Sequence, residues 1–105
     1  MPCTCRPAIT ASTGIAATHI NGTTIHSWAG IGIKDVLTDA DIRQIMRKEY
    51  VVRRIADTRV LIIDEISMIN GPTLENVDRV CREVKALYDM SARGKAFGGI
   101  QVIFV

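Results

Sequence analysis

The sequence predicts an α/β domain, a parallel sheet flanked by helices, and three observations carry that prediction. Val60-Leu61-Ile62-Ile63 is an unbroken apolar run that ends in Asp64-Glu65. Continuous apolarity, unlike alternation, marks a strand covered on both faces, as in a parallel sheet between helix layers. Apolar residues at helical spacing follow it, and behind them stands a second strand-like run, Ile100 to Val105. Strand, helix, strand in that order is the pattern of a parallel sheet with right-handed crossovers.

Ala8-Ile9-Thr10-Ala11 reads as a short strand that breaks at Ser12-Thr13-Gly14, and Ile15 to His19 as a brief helix stopped by Asn21-Gly22. Thr23-Thr24 caps a second short helix through Ser27, Trp28 and Ala29, closed by Gly30 and Gly32. Thr38-Asp39-Ala40-Asp41 has the capping pattern of a helix start, with Ile42, Ile45 and Met46 on one face. That helix is expected to fray into the basic stretch containing Arg47-Lys48 and Arg53-Arg54. After the strand 60–63, Pro72 suits the first turn of a helix over 73–89, with Leu74, Val77, Cys81, Val84 and Tyr88 on its apolar side. Glu75/Arg79 and Asp78/Arg82 are spaced to pair on the other side. Gly94, Gly98 and Gly99 read as a flexible link into the last strand. The strands 8–11, 60–63 and 100–105 are expected as parallel neighbours or near-neighbours, with the 73–89 helix packed across them.

The bulk properties restrict function only loosely. A chain of 105 residues allows one small domain, and 48% hydrophobic residues is ordinary for a folded protein. Thirteen Lys and Arg against 11 Asp and Glu leave a net charge of +2, which neither demands nor excludes nucleic acid. Cys3, Cys5 and Cys81 are odd in number, and no second pair completes a zinc site, so they read as free thiols in a reducing compartment. No apolar run approaches the ~20 residues needed to span a bilayer. Met1 to Pro7 is too short and polar for a secretion signal. These features lead to the expectation of a soluble intracellular protein.

Three stretches carry candidate chemistry. A carboxylate at a strand tip, such as Asp64, can hold Mg²⁺ beside phosphates, and a neighbouring Glu65 can orient or deprotonate an attacking water. The bland alternative is a solvated acidic pair ending a strand. In the stretch from Thr10 to Ala17, small and hydroxylated residues at a strand-to-helix turn expose N–H groups that can bind phosphate, or simply cap a helix. In the stretch from Gly22 to Gly32, His26 and Trp28 can stack on bases of a single strand. A lone Trp is more often a core anchor, and a lone His a satisfied polar group. The phosphate-binding pattern of Gly, four residues, Gly, Lys, Ser or Thr does not occur: at the only Gly-Lys step, Gly94-Lys95, Asp89 stands in the first-glycine position and Ala96 follows.

Together, ITASTGIAATHINGTTIHSWAGIG, LIIDEISM and FGGIQVIFV resemble the PIF-type (petite integration frequency) helicases, superfamily-one motors that move 5′ to 3′ along single-stranded DNA. The resemblance covers residues 8–105 and implies a RecA-like P-loop NTPase motor domain, with ATP and Mg²⁺ as cofactors and single-stranded DNA as partner. It implies that Asp64 helps to hold Mg²⁺ and Glu65 activates the hydrolytic water. Thr10, Thr13, Gly14 and Ala16 fall in the family's first strand-contacting segment, and Thr24, His26 and Trp28 in the next. Residues 100–105 correspond to the strand leading to the motif that senses the γ-phosphate.

The chain departs from the family pattern where MPCTCRP stands in place of a phosphate-binding loop, and where the sensor motif, second motor domain and arginine finger would follow Val105. The expectation is a partial motor domain over 1–105, inactive by itself, from an enzyme of DNA repair, recombination and telomere or genome maintenance. Such an enzyme works in the cytoplasm of a bacterium, or in the nucleus or mitochondrion of a eukaryote. The alternatives are a RecD-like helicase subunit, against which the DEISM and FGGIQ stretches weigh, and a non-catalytic single-stranded-DNA-binding remnant.

Overall fold

The computed structural model describes residues 7–32 and 36–105; Cys3 and Cys5, with most of the MPCTCRP stretch, lie outside them. Strands β1 (Ala8–Ala11), β2 (Thr23–Thr24), β3 (Val60–Asp64) and β4 (Gln101–Phe104) form one sheet in the order β2-β1-β3-β4, parallel throughout. Helices α1 (Gly14–His19), α2 (Ile25–Ala29), α3 (Asp39–Met46), α4 (Glu49–Asp57) and α5 (Gly71–Ala86) make the connections. The three expected strands are therefore adjacent: Ala8 pairs with Leu61 and Leu61 with Val102.

Leu61 and Ile63 of β3 are fully buried against Val77, Val80, Cys81 and Val84 of α5, with Ile25, Trp28, Ile45, Val51 and Ile55 completing the same core. The alternate residues of the sheet behave differently. Ile62 is half-buried, and its row-mates Ile9 and Ile103 are 42% and 41% exposed. Among the described residues β3 is covered more completely on one face than on the other, although its continuous apolarity fits a strand covered on both.

Capping follows the sequence closely. Thr38 and Asp41 form a reciprocal capping box at the start of α3. Asn70 accepts from the Thr73 N–H at 2.8 Å to start α5, with Pro72 in the first turn. Four expectations are corrected. The basic stretch does not fray: Arg47 and Lys48 join α3 to α4, and Arg53-Arg54 lie within α4, where Val51 and Ile55 are fully buried one turn apart. Helix α5 ends at Ala86, so Tyr88 leaves the apolar stripe and is 71% exposed. Asp78 pairs with Arg82 at 3.0 Å as expected, but the Arg79 guanidinium donates to the Leu37 carbonyl at 2.6 Å and to the Asp39 carboxylate, fastening α3 to α5.

The fourth correction concerns the glycine-rich link, which is packed rather than loose. Two 3₁₀ turns, Met90–Gly94 and Ala96–Gly99, lie against α5. The Asp78 carboxylate accepts from the Phe97 N–H at 2.6 Å, and Gly98 adopts φ +63°. A Cβ at Gly98 would stand 2.7 Å from the Cys81 carbonyl oxygen and 2.8 Å from the Lys85 stem, so only glycine lets the turn approach the helix this closely.

Candidate functional site

Parallel strands place their carboxyl ends on one edge, where an open α/β sheet presents its functional loops. Asp64, the last residue of β3, stands in register with Ala11, and Ala11 with Thr24 on its other side. Thr24, Ala11 and Asp64 thus form one row across the edge, spanning about 10 Å at ordinary strand spacing. The Ser12 N–H donates to the Asp64 carbonyl at 3.2 Å, which brings the turn after β1 against the acidic pair.

Asp64 is half-buried and Glu65 exposed. The Asp64 Oδ1 accepts from the Glu65 N–H at 2.9 Å, and Glu65 takes φ +57°. A left-handed conformation at a residue with a side chain costs on the order of 1–3 kcal/mol and is held only where the surroundings impose it. Here the restraint is visible on both sides: the Ile66 N–H donates to the Val105 carbonyl at 3.1 Å, and the Val105 N–H to the Ile63 carbonyl at 3.0 Å. Glu65 is thus exposed at the end of β3, directly after Asp64.

Two short helices start on the same edge. Thr13 Oγ1 accepts from the Ala16 N–H and Thr24 Oγ1 from the Ser27 N–H, each at 3.2 Å, so both threonines cap the helices that follow them. Gly14 is exposed, while Ala16 and His26 are half-buried. These residues gather where the sequence reading groups them. Thr10 and Trp28 belong to the interior instead. Thr10 is fully buried and donates to the Ile62 carbonyl at 2.7 Å, tying β1 to β3, and Trp28 is 4% exposed in the core. Their side chains support the edge without offering surface to a ligand.

Ser12, within the Thr10 to Ala17 stretch but not singled out there, has its hydroxyl oxygen buried without a hydrogen-bond partner, and its N–H bonds the Asp64 carbonyl. An orphaned polar atom at such a place is an expected feature of a site completed by a polar ligand or water. Among the described residues no three His, Cys, Asp or Glu side chains gather to hold a metal. A lone carboxylate such as Asp64 fits Mg²⁺, which is commonly bound through one or two carboxylates with waters and substrate phosphates supplying the rest. No helix among the described residues is long and apolar enough to cross a membrane.

A parallel sheet flanked by helices, with an acidic pair at the tip of an inner strand, is an arrangement that RecA-like motor domains have. The solved Pif1 helicase of Candida albicans superposes with a TM-score of 0.80 at 39% identity, over 93% of this chain and 21% of that one. Bacteroides Pif1 in complex with ADP-AlF3 and single-stranded DNA gives 0.72 at 36% identity, over 94% of this chain and 21% of that one. A Psychrobacter sp. (strain PRwf-1) protein, ATP-dependent DNA helicase Pif1, is 53% identical over 96 residues, covering 91% of this chain and 14% of the relative. Residues 6–105 match the model of the PIF1-like helicases. The chain belongs to the PIF1-like helicase family, and it spans about one seventh of the length of that bacterial relative.

Proposed function

We propose that these residues are a section of the first motor domain of an ATP-dependent DNA helicase that moves 5′ to 3′ on single-stranded DNA. The observation that carries this reading is the row of Thr24, Ala11 and Asp64 along one sheet edge, with Glu65 turned out beside it. In this reading Asp64 contributes to holding Mg²⁺, which neutralises charge on the phosphates when bound. Glu65, exposed and held at positive φ beside Asp64, accepts the proton of the attacking water. Thr13, Gly14 and Ala16, with Thr24 and His26, present caps and backbone to the strand, while Thr10 and Trp28 hold those segments in place. Backbone contacts carry little sequence information, so affinity should be indifferent to sequence and fall with salt. Similarity to a protein solved with ADP-AlF3 and single-stranded DNA supports pairing the two activities. Repair, recombination and telomere or genome maintenance are the processes such a motor serves, in the cytoplasm of a bacterium or the nucleus or mitochondrion of a eukaryote.

The test is a helicase carrying this section. The Psychrobacter relative, with its matching 96 residues exchanged for those of this chain, supplies the remaining parts. Glu65→Gln in that exchange protein should lower DNA-stimulated ATP turnover by about 100-fold or more while nucleotide affinity stays within a few fold, as removal of a general base does. Undiminished turnover removes Glu65 from the reaction. The 105 residues alone should release no phosphate, since they contain no Gly, four residues, Gly, Lys, Ser or Thr cradle for the β- and γ-phosphates.

A further inference from the structure

Helix α2 is too short to hold itself. It has five residues, whereas isolated helices become stable only at about 12–15. Its start is capped by Thr24. At its end Gly30, with φ +70°, donates its N–H to the Ser27 carbonyl at 3.2 Å, and the Ile31 N–H reaches the His26 carbonyl at 3.1 Å. The Trp28 carbonyl is served from elsewhere: Arg54 of α4 donates Nε to it at 3.0 Å and Nη2 to the Ser27 carbonyl at 2.8 Å. The same guanidinium lies 5.4 Å from the centroid of the Tyr50 ring. A cation is favourable at the carbonyl end of a helix, and the rigid fork of arginine suits two adjacent acceptors in a way a lysine ammonium does not.

We propose that Arg54 is a positioning residue for single-strand binding, holding the Ser27 and Trp28 carbonyls so that α2 keeps Thr24 and His26 at the sheet edge. The inference rests on the reading of α2 as a strand-contacting segment. Arg54 shares a cleft with Pro7, Ala8, Thr23, Trp28 and Thr58. It grips α2 at its carbonyl end, opposite the end that Thr24 caps. The apolar half of the grip is Val51, one turn earlier on α4, whose Cγ2 would lie 3.3 Å from a Cβ at Gly30. Two elements far apart in sequence are joined here, and strand affinity depends on a residue that does not touch the strand.

The measurement is fluorescence anisotropy of a labelled oligo-dT with the exchange helicase, repeated over a range of salt. Arg54→Met should raise Kd about tenfold, on the scale of losing hydrogen bonds to a charged donor. Arg54→Lys should recover part of that loss. The slope of log Kd against log salt should be the same in all three proteins; a slope reduced by about 0.7 would make Arg54 a direct phosphate contact and overturn the positioning role. Lys85→Met is the control for general weakening of α4, because Lys85 Nζ donates to the Ala56 and Thr58 carbonyls at 2.7 and 2.8 Å, at the same last turn of α4 that carries Arg54. An equal rise in Kd in Lys85→Met would also overturn the inference. His26→Ala separates the two levels of the argument. If it weakens binding and Arg54→Met does not, the positioning role alone falls; if His26→Ala leaves Kd unchanged, the strand-contact reading of α2 falls, and this inference with it.

Discussion

In the half built from β3 and α5, Leu61, Ile63, Val77, Val80, Cys81 and Val84 are each at most 1% exposed, and a sixteen-residue helix lies along the strand. In the half built from β2 and α2, the strand has two residues and the helix five, and the ends of the helix are set by Thr24, Gly30 and Arg54. Ile25, Trp28 and Ala29 do reach the core. So much of α2 is spent on the interior that its outward residues have little else to hold them. The acidic pair is thus mounted on a central strand joined to a long helix, whereas the candidate strand-contacting segment is little more than one helical turn that combines three buried residues with polar clamps worth about 1 kcal/mol each.

Leu61→Ala sharpens this contrast most. Leu61 is fully buried where β3 meets the core, and a buried Leu→Ala change costs about 2–5 kcal/mol. A loss of unfolding free energy of that size, measured by urea titration, is expected. A loss no greater than that from removing the Thr24 cap would mean that burial does not distinguish the two halves.

Cys81 tests the same side by pH. Its thiol is pushed up from 9.0 to about 12, by burial first and by the Asp78 carboxylate second, with Lys85 opposing. The folded chain keeps this proton where the unfolded chain loses it. Stability is therefore intact below pH 9 and falls as pH rises towards 12, by about 1.4 kcal/mol at pH 10. The quantity to measure is the difference between parent and Cys81→Ala in unfolding free energy between pH 8 and pH 10. The parent should lose more; equal losses would place Cys81 outside the packed layer.

The two halves also differed in how openly the sequence announced them. Strand β3 and helix α5 follow from an apolar run and a regular stripe, both local patterns. The capping of α1, α2 and α3 was legible because Thr13, Thr24 and Thr38 each precede a helix, and the sheet-edge position of Asp64 followed from its place at a strand end. Helix α4 was hidden: Lys48 makes no side-chain cap, and its two fully buried residues, Val51 and Ile55, sit among Arg, Tyr and Glu. The 3₁₀ turns were hidden for another reason. Their order comes from Asp78, nineteen positions away from Phe97, and no local pattern carries that contact. Arg54 was illegible in the same way, since its acceptors are 26 and 27 residues earlier in the chain.

The smallest expected effect tests the contrast most directly. Thr24→Ala removes the hydroxyl that accepts from the Ser27 N–H and should cost about 1 kcal/mol, the usual worth of such a cap. Where the loss appears matters more than its size. With one end released and only Arg54 and Gly30 holding the other, α2 should open locally before the rest of the chain unfolds. Hydrogen exchange at the amides of residues 27–31 should then accelerate about fivefold, the factor matching that energy, while the α5 amides keep the parent rate. Thr24→Ser retains the acceptor and should restore the slow exchange. Parallel acceleration in α5 would show that α2 opens only with the whole fold, and the two halves would then be a single cooperative unit despite their different fastenings.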